Sequence, residues 1–259
     1  MQPVTIVKIG GKILDNPSKL QQVLFSFSKI KGHKILIHGG GSKSKELSEK
    51  LGIAPQIVED RHITDSRTLE LVVMVYAGLV NKTVVGQLQS YGCDAIGLSG
   101  ADGNSILAKK RKIGPVNFGF AGDIKKIYTP FITTLLNDGL TPVFCAITHN
   151  GKGQLLNTNA DSIAAALATA LTSDYEVTLQ YCIEKNGVLP DPDDDHSVLA
   201  TLTKKEYKKM KKNGLLSSEL IPKLDNAFSA KKANVHKVFI GGAASIIPDS
   251  DTRGTEIIK

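Results

Sequence analysis

Lys8 stands near the end of an otherwise apolar run, VTIVKI (4–9), and Gly10-Gly11 follow it at once. An unpaired charge in such a run is costly to bury, so a lysine there has work to do. A second apolar run, KILIH (34–38), is followed by Gly39-Gly40-Gly41 and then by a helical pattern. Glycines at such a junction let backbone N–H groups approach an anion, and a helix N-terminus adds partial positive charge. A plain turn would use the same residues. In QLLNTNAD (154–161), Asn157, Asn159 and Asp161 alternate ahead of an Ala-rich stretch, so their side chains can converge at a helix N-terminus. Helix capping accounts for Asn159 or Asp161 but not for the alternation. GLLSSELIPK (214–223) sets a further lysine, Lys223, at the start of a helix in the second half. Lysines, one carboxylate and glycine amides are the parts needed to hold and move an anionic group.

The familiar signatures for such chemistry are missing from the sequence. It contains neither GxxxxGK[ST] nor GxGxxG after a strand, and it lacks HRD, DFG and HExxH. GLSGA (97–101) departs from the GxSxG elbow. Cys93, Cys145 and Cys182 are odd in number and far apart, without CxxC spacing, which predicts a reducing cytoplasm and no zinc site. Asp191 and Asp193 to Asp195 lack the spacing and glycine of a calcium loop and read as a solvated hairpin tip.

The elements that must position these residues alternate from the start. The pattern predicts strands at 4–9, 34–38, 94–98, 141–148, 176–183, 236–241 and 254–258. Helices are expected over 17–31, 43–51, from about 64 to 91, from Thr129, over 159–172 and across about 219–234, with hairpin material at 105–128. Such alternation implies an α/β fold with a mostly parallel sheet, whose ligands bind beyond the carboxyl ends of the strands. A soft boundary near 175 divides an N-terminal lobe (1–175) from a C-terminal lobe (176–259).

The 259 residues carry Lys+Arg 32 against Asp+Glu 25, a net charge of +7, with 41% hydrophobic and 22% charged residues. That composition is globular. The basic excess is local: KKEYKKMKK (204–212) holds six lysines in nine residues, and Thr203 with Glu206 forms a capping-box pattern. It reads as a solvated helix, because a nucleic-acid stripe would interleave more aromatics than Tyr207. No apolar run approaches the roughly 20 residues of a membrane span, and the N-terminus lacks the layout of a secretion signal.

Taken together, VKIGG (7–11), HGGG (38–41), TLELVVMVYAGLVNK (68–82), GLSGADGN (97–104), LLNTNAD (155–161) and IPKL (221–224) resemble the acetylglutamate kinases of the amino acid kinase superfamily. The resemblance runs from about residue 4 to 258. It implies an open αβα sandwich and phosphorylation of the γ-carboxylate of an N-acylated glutamate, acetyl or succinyl, by ATP with Mg²⁺, in arginine biosynthesis. It assigns Lys8, Lys223 and Asp161 to catalysis: Lys8 on the transferring phosphoryl group, Lys223 on the leaving side, Asp161 orienting both. Gly10, Gly11 and Gly40 would cradle the phosphoryl group. Gly40, Gly41, Asn157 and Asn159 would bind the acylated amino acid, and Gly10, Gly11, Gly187, Val188, Leu189 and Ser217 the nucleotide.

Three positions depart from the family pattern. The arginine expected on the substrate α-carboxylate falls on His62, with Arg61 one residue earlier, and either could serve. The usual Thr-Asp pair of the nucleotide lobe is replaced by Gln180-Tyr181-Cys182-Ile183-Glu184. Glu219 stands where a glycine is expected. Glu219 and the lost Thr-Asp pair also fit a non-catalytic metabolite sensor or partner-binding protein on the same fold. The first strand begins by about Val4, ahead of which the extra helix of arginine-inhibited hexamers has no room. The expectation is a homodimer, paired through the N-terminal lobe and indifferent to arginine.

Overall fold

The computed structural model describes residues 1–53, 57–58, 61–112, 116–191, 193–195, 197–246 and 254–259, with the side chains of 57, 58, 61 and 62 outside the description. The chain opens on β1 (Gln2–Ile9), a one-turn helix α1 (Gly11–Leu14) and α2 (Pro17–Ser28). Pro17 at the first helical position and Asn16, whose side chain accepts from the Lys19 N–H, start α2 there. β2 (His33–His38), α3 (Lys43–Lys50) and the small pair β3 (Ile57–Val58) and β4 (Arg61–His62) follow.

The expected long helix is continuous but changes pitch. It runs as α4 (Ser66–Val72), a π-helical segment (Val73–Val80) and α5 (Asn81–Ser90). Of its buried apolar side chains, Leu69 and Val72 pack with Cys145 and Ile147. Those packed with β1 and β2 step by four from Leu71 to Val75, by five to Val80, then by four to Val84 and Leu88. The wide step is the π segment's signature, and it re-aims everything after it. Contrary to the expectation from the sequence, this 25-residue run (mean hydropathy 1.5 over its most apolar window) is long and apolar enough to cross a bilayer. Here Leu71, Val75, Val80, Val84 and Leu88 instead pack into the core against Val7, Ile9 and Leu36 of the sheet.

The rest runs β5 (Ala95–Leu98), β6 (Ile106–Lys110), β7 (Ala121–Ile127), α6 (Thr129–Asn137), β8 (Thr141–Cys145), β9 (Ile147–His149), β10 (Leu155–Thr158) and α7 (Ala160–Leu171). β11 (Tyr175–Cys182), β12 (Thr201–Leu202), α8 (Lys204–Lys212), α9 (Leu220–Lys232), β13 (Lys237–Gly241) and β14 (Thr255–Ile257) complete it. The single strand expected at 141–148 is two, and β10 and β12 were not anticipated; both are short, at 4 and 2 residues.

Among the described residues the main sheet has eight strands in the order β12-β14-β13-β11-β1-β2-β8-β5. Pairing is parallel from β13 to β5, and β14 lies antiparallel to β13. The sheet is therefore continuous across residue 175, where β11 pairs with β1 in full register from Gln2↔Tyr175 to Ile9↔Cys182. One face (Val4, Ile6, Ile37, Leu179) packs on α6, α7 and α9; the other (Val7, Ile9, Leu36) packs on α2 and α5. Strand alternation thus sends Lys8, in phase with Val4 and Ile6, toward α7 and α9. β6, β7, β9 and β10 close into a separate four-stranded unit.

The basic helix α8 carries the expected capping box, with Glu206 N–H donating to Thr203 Oγ1 and Thr203 N–H to Glu206. Tyr207 is buried and stacked on Phe228, so the one aromatic in the run serves the core and its lysines face water. The three cysteines are free and buried, and burial pushes the thiols of Cys145 and Cys182 up to about 12.

Candidate active site

β1 lies at the centre of the sheet, with β2 on one side and β11 on the other, so the crevice beyond their carboxyl ends is where this architecture binds ligands. Gly10 N–H donates to the Cys182 carbonyl (3.0 Å), tying the two strand ends together. On the α7 side of that crevice Lys8 Nζ lies 2.7 Å from Asp161 Oδ1, and Lys223 Nζ lies 3.7 Å from Asp161 Oδ2. All three come from different elements: a strand end, the first turn of α7 and the first turn of α9. Asn159 caps α7 through the Ser162 N–H, and the positive end of that helix favours the Asp161 carboxylate.

Lys8 and Asp161 are buried, at 6% and 5% exposure. Burial pulls the Lys223 ammonium below the ordinary lysine value; Asp161 pulls it back up and the Lys8 charge lowers it further. Asp161 Oδ1 has no aligned hydrogen-bond donor among the described residues, so the Lys8 contact is an ion pair without the geometry of a strong hydrogen bond. Two cations held by one carboxylate leave a net positive charge, poised for an anion.

The glycine turns bound the same space. Gly41 adopts φ +58, and its loop is fastened to α1 by Ser42 N–H donating to Asp15 Oδ1 (2.6 Å). A Cβ on Gly40 would sit inside the ring of Tyr76. Asn157 Nδ2 donates to Thr64 Oγ1 (3.1 Å), which joins β10 to the segment entering α4. Asn159 uses its Oδ1 to cap α7. The side chains of Arg61 and His62 lie outside the described residues.

On the C-terminal side a cleft of about 330 Å³ opens beside Lys223. Of the residues that the resemblance assigns to the nucleotide, Val188 is fully buried in the core, and Gly10, Gly11, Gly187, Leu189 and Ser217 line this cleft. Its mouth carries an ionic strap the sequence reading missed: Lys12 Nζ lies 3.1 Å from Glu219 Oε2 and 4.0 Å from Glu184 Oε2, and Lys19 Nζ lies 2.9 Å from Glu184 Oε1. The available signal was Lys12 itself, directly after Gly10-Gly11. Glu219, the residue standing in place of a glycine, therefore has its charge engaged by a lysine at the cleft mouth. Asp195 of the acidic string pairs with Lys185.

A parallel sheet with glycine turns at its carboxyl edge, and two lysines converging on one aspartate beside a cleft, set positive charge and backbone amides where a phosphate-bearing ligand can be held. The chain belongs to the amino acid kinase family, whose model matches residues 3–242. Among its relatives, acetylglutamate kinase of Phocaeicola vulgatus is 47% identical over 251 residues, 97% of this chain and 98% of that one. Acetylglutamate kinase of Cytophaga hutchinsonii is 45% identical over 262 residues, 100% of this chain and 99% of that one. The fold is shared with N-acetylglutamate synthase from Neisseria gonorrhoeae at a TM-score of 0.82 and 21% identity, over 99% of this chain and 59% of that one.

Proposed function

We propose that the protein transfers the γ-phosphoryl group of ATP, which enters with Mg²⁺ as a substrate, to the γ-carboxylate of N-acetyl-L-glutamate, a step of arginine biosynthesis. The observation that carries this reading is the Lys8–Asp161–Lys223 cluster, with Lys8 and Asp161 buried and Lys223 half-buried, at the junction of the glycine turns and the cleft. A carboxylate, with an ordinary pKa of about 4.3, is already ionised at neutral pH and needs no general base. The obstacle is bringing an anion to a polyanion, so catalysis reduces to positioning and charge neutralisation. A carboxylate oxygen forms the new bond to phosphorus as the bond to the β–γ bridging oxygen breaks. ADP leaves with that electron pair, and an acyl phosphate remains.

Lys8 neutralises the transferring group, Lys223 the leaving side, and Asp161 holds both ammonium groups in place. Amides of Gly10, Gly11 and Gly40 receive the phosphoryl oxygens. The nucleotide occupies the cleft beside Lys223, and the acylated amino acid lies toward Gly41 and Asn157 with its α-carboxylate on His62 or Arg61. Exposed Met74 and Leu79 on the π segment, 56% and 58% exposed, support pairing of two N-terminal lobes in a homodimer. Free, buried thiols fit a cytoplasmic setting.

Trapping the acyl phosphate as a hydroxamate, with a panel of N-acetyl-, N-succinyl- and unacylated glutamate, tests the reaction and the acyl group together. Turnover with the acetyl compound is expected. ATP consumption with none of the panel would overturn the reading and leave the sensor in its place.

A further inference from the structure

His38 ends β2 in the middle of the sheet, between Ile9 and Cys145, and is fully buried. Its ring has two polar contacts: Nδ1 lies 2.7 Å from the Gly39 carbonyl oxygen, and Nε2 lies 3.0 Å from Asn81 Nδ2. Asn81 Nδ2 also donates to the Val143 carbonyl (2.9 Å). A carbonyl can only accept, so that contact fixes the Asn81 amide with its NH₂ group toward Val143 and His38. An NH₂ group can only donate, so His38 Nε2 must accept, and the ring proton must sit on Nδ1 and point at Gly39. Every group in the chain is then satisfied by one arrangement.

The consequence lies in the next peptide. The carbonyl of Gly39 and the N–H of Gly40 belong to one planar trans unit and point in opposite directions. Drawing the Gly39 oxygen toward His38 turns the Gly40 N–H the opposite way, away from the imidazole. Glycine would otherwise let this peptide rotate freely.

We propose that His38 is a positioning residue for phosphoryl transfer, fixing the Gly40 amide toward the migrating group, and that Asn81 sets the imidazole tautomer that makes this possible. The proposal rests on the kinase reading above and assigns it two residues that touch neither substrate. Burial pushes His38 down to about 4, which keeps the ring neutral across the working range and the Nε2 lone pair available to Asn81. Asn81 is itself buried at 1% exposure and reaches His38 as the first residue after the π segment. The five-residue step from Val75 to Val80 thereby serves to aim Asn81 at the sheet.

The test compares three substitutions at position 38 in the full chain. Asparagine places an N–H donor where Nδ1 stands; glutamine places its amide where Nε2 stands; leucine offers neither. With N-acetyl-L-glutamate and MgATP saturating, His38→Asn should stay within about 3-fold of wild-type kcat. His38→Gln and His38→Leu should lose about 10- to 100-fold, as for a misdirected oxyanion donor, with KM for ATP little changed. A merely structural histidine would give losses that follow Tm across the three variants without rescue by asparagine, and that pattern would overturn the proposal. Nitrogen-15 spectra of the wild-type imidazole settle the tautomer without any variant. Protonated Nδ1 and bare Nε2 from about pH 5 to 8 are expected, and the opposite tautomer would also overturn it. An inactive wild type with the expected tautomer would instead count against the kinase reading.

Discussion

Replacing Asp161 by asparagine keeps the shape of the side chain and removes the charge that two ammonium groups share. At an effective dielectric constant of about 20, unit charges at the Lys8 and Lys223 separations of 2.7 and 3.7 Å attract Asp161 by about 6 and 4 kcal/mol. Most of that repays the cost of taking the charges out of water, so the net worth of the cluster is far smaller. Breaking it from one side is different, because Lys8 stays buried with no anion beside it. The expected loss is about 3–5 kcal/mol, or roughly 6–20 °C in Tm for a chain of this size. A pH dependence should accompany it. Lys223 already titrates below its ordinary value, and its burden on the fold is full below that lowered pKa and relieved as pH rises toward the unfolded one. Without Asp161 the depression deepens, and in the alkaline range the unfolded chain binds more protons than the folded one. The deficit of Asp161→Asn against wild type should therefore shrink between about pH 7 and 10. Urea melts at several pH values measure this directly. The kcat should fall by on the order of 10²-fold, since both lysines lose their orientation. A variant within about 1 kcal/mol of wild type at pH 7, or a deficit growing with pH, would refute the electrostatic account.

Lys8→Ala and Lys223→Ala should each fold and lose about 10²-fold or more in kcat; wild-type turnover from either removes that lysine from the mechanism. Gly40→Ala drives a methyl group into the Tyr76 ring and should cost at least about 10-fold in kcat/KM for the acylglutamate, whereas Gly86→Ala, on open helix surface, should stabilise the chain by about 0.4–1 kcal/mol and leave kinetics alone. Glu219→Gly releases Lys12 to the incoming polyphosphate, so KM for ATP should fall by about 2- to 5-fold, and a rise would show that the strap aids binding. If His62 holds the substrate α-carboxylate, KM for the acylglutamate should climb from about pH 6 to 8 while KM for ATP stays level, and His62→Arg should flatten the climb; a flat wild-type profile with damage confined to Arg61→Ala assigns the role to Arg61.

The sequence by itself determined what depends on near neighbours along the chain. Strand and helix periods, Pro17 at the head of α2, the Thr203–Glu206 capping box and the glycine turns after β1 and β2 were legible because each is set within a few residues. Lys8 was legible too, as a charge in an apolar run. Asp161 stood out by its alternation with Asn157 and Asn159, and Lys223 by its place at a helix start, but their roles came through the family resemblance, which the shared motifs carry. Short strands such as β10 and β12 left too few residues for a period to register.

Only the tertiary structure decided which distant groups meet. Asp161 stands between two lysines because β1, α7 and α9 bring their ends to one edge of the sheet, and strand order governs that. Lys12 finds Glu219 across the cleft mouth, which turns an apparent departure from the family pattern into an ion pair. Asn81 reads as an ordinary polar residue on a long helix until the π segment turns it toward His38. Local periodicity fixes which face a side chain occupies, but partners across a sheet depend on register, crossover and pitch, and those are properties of the packed whole.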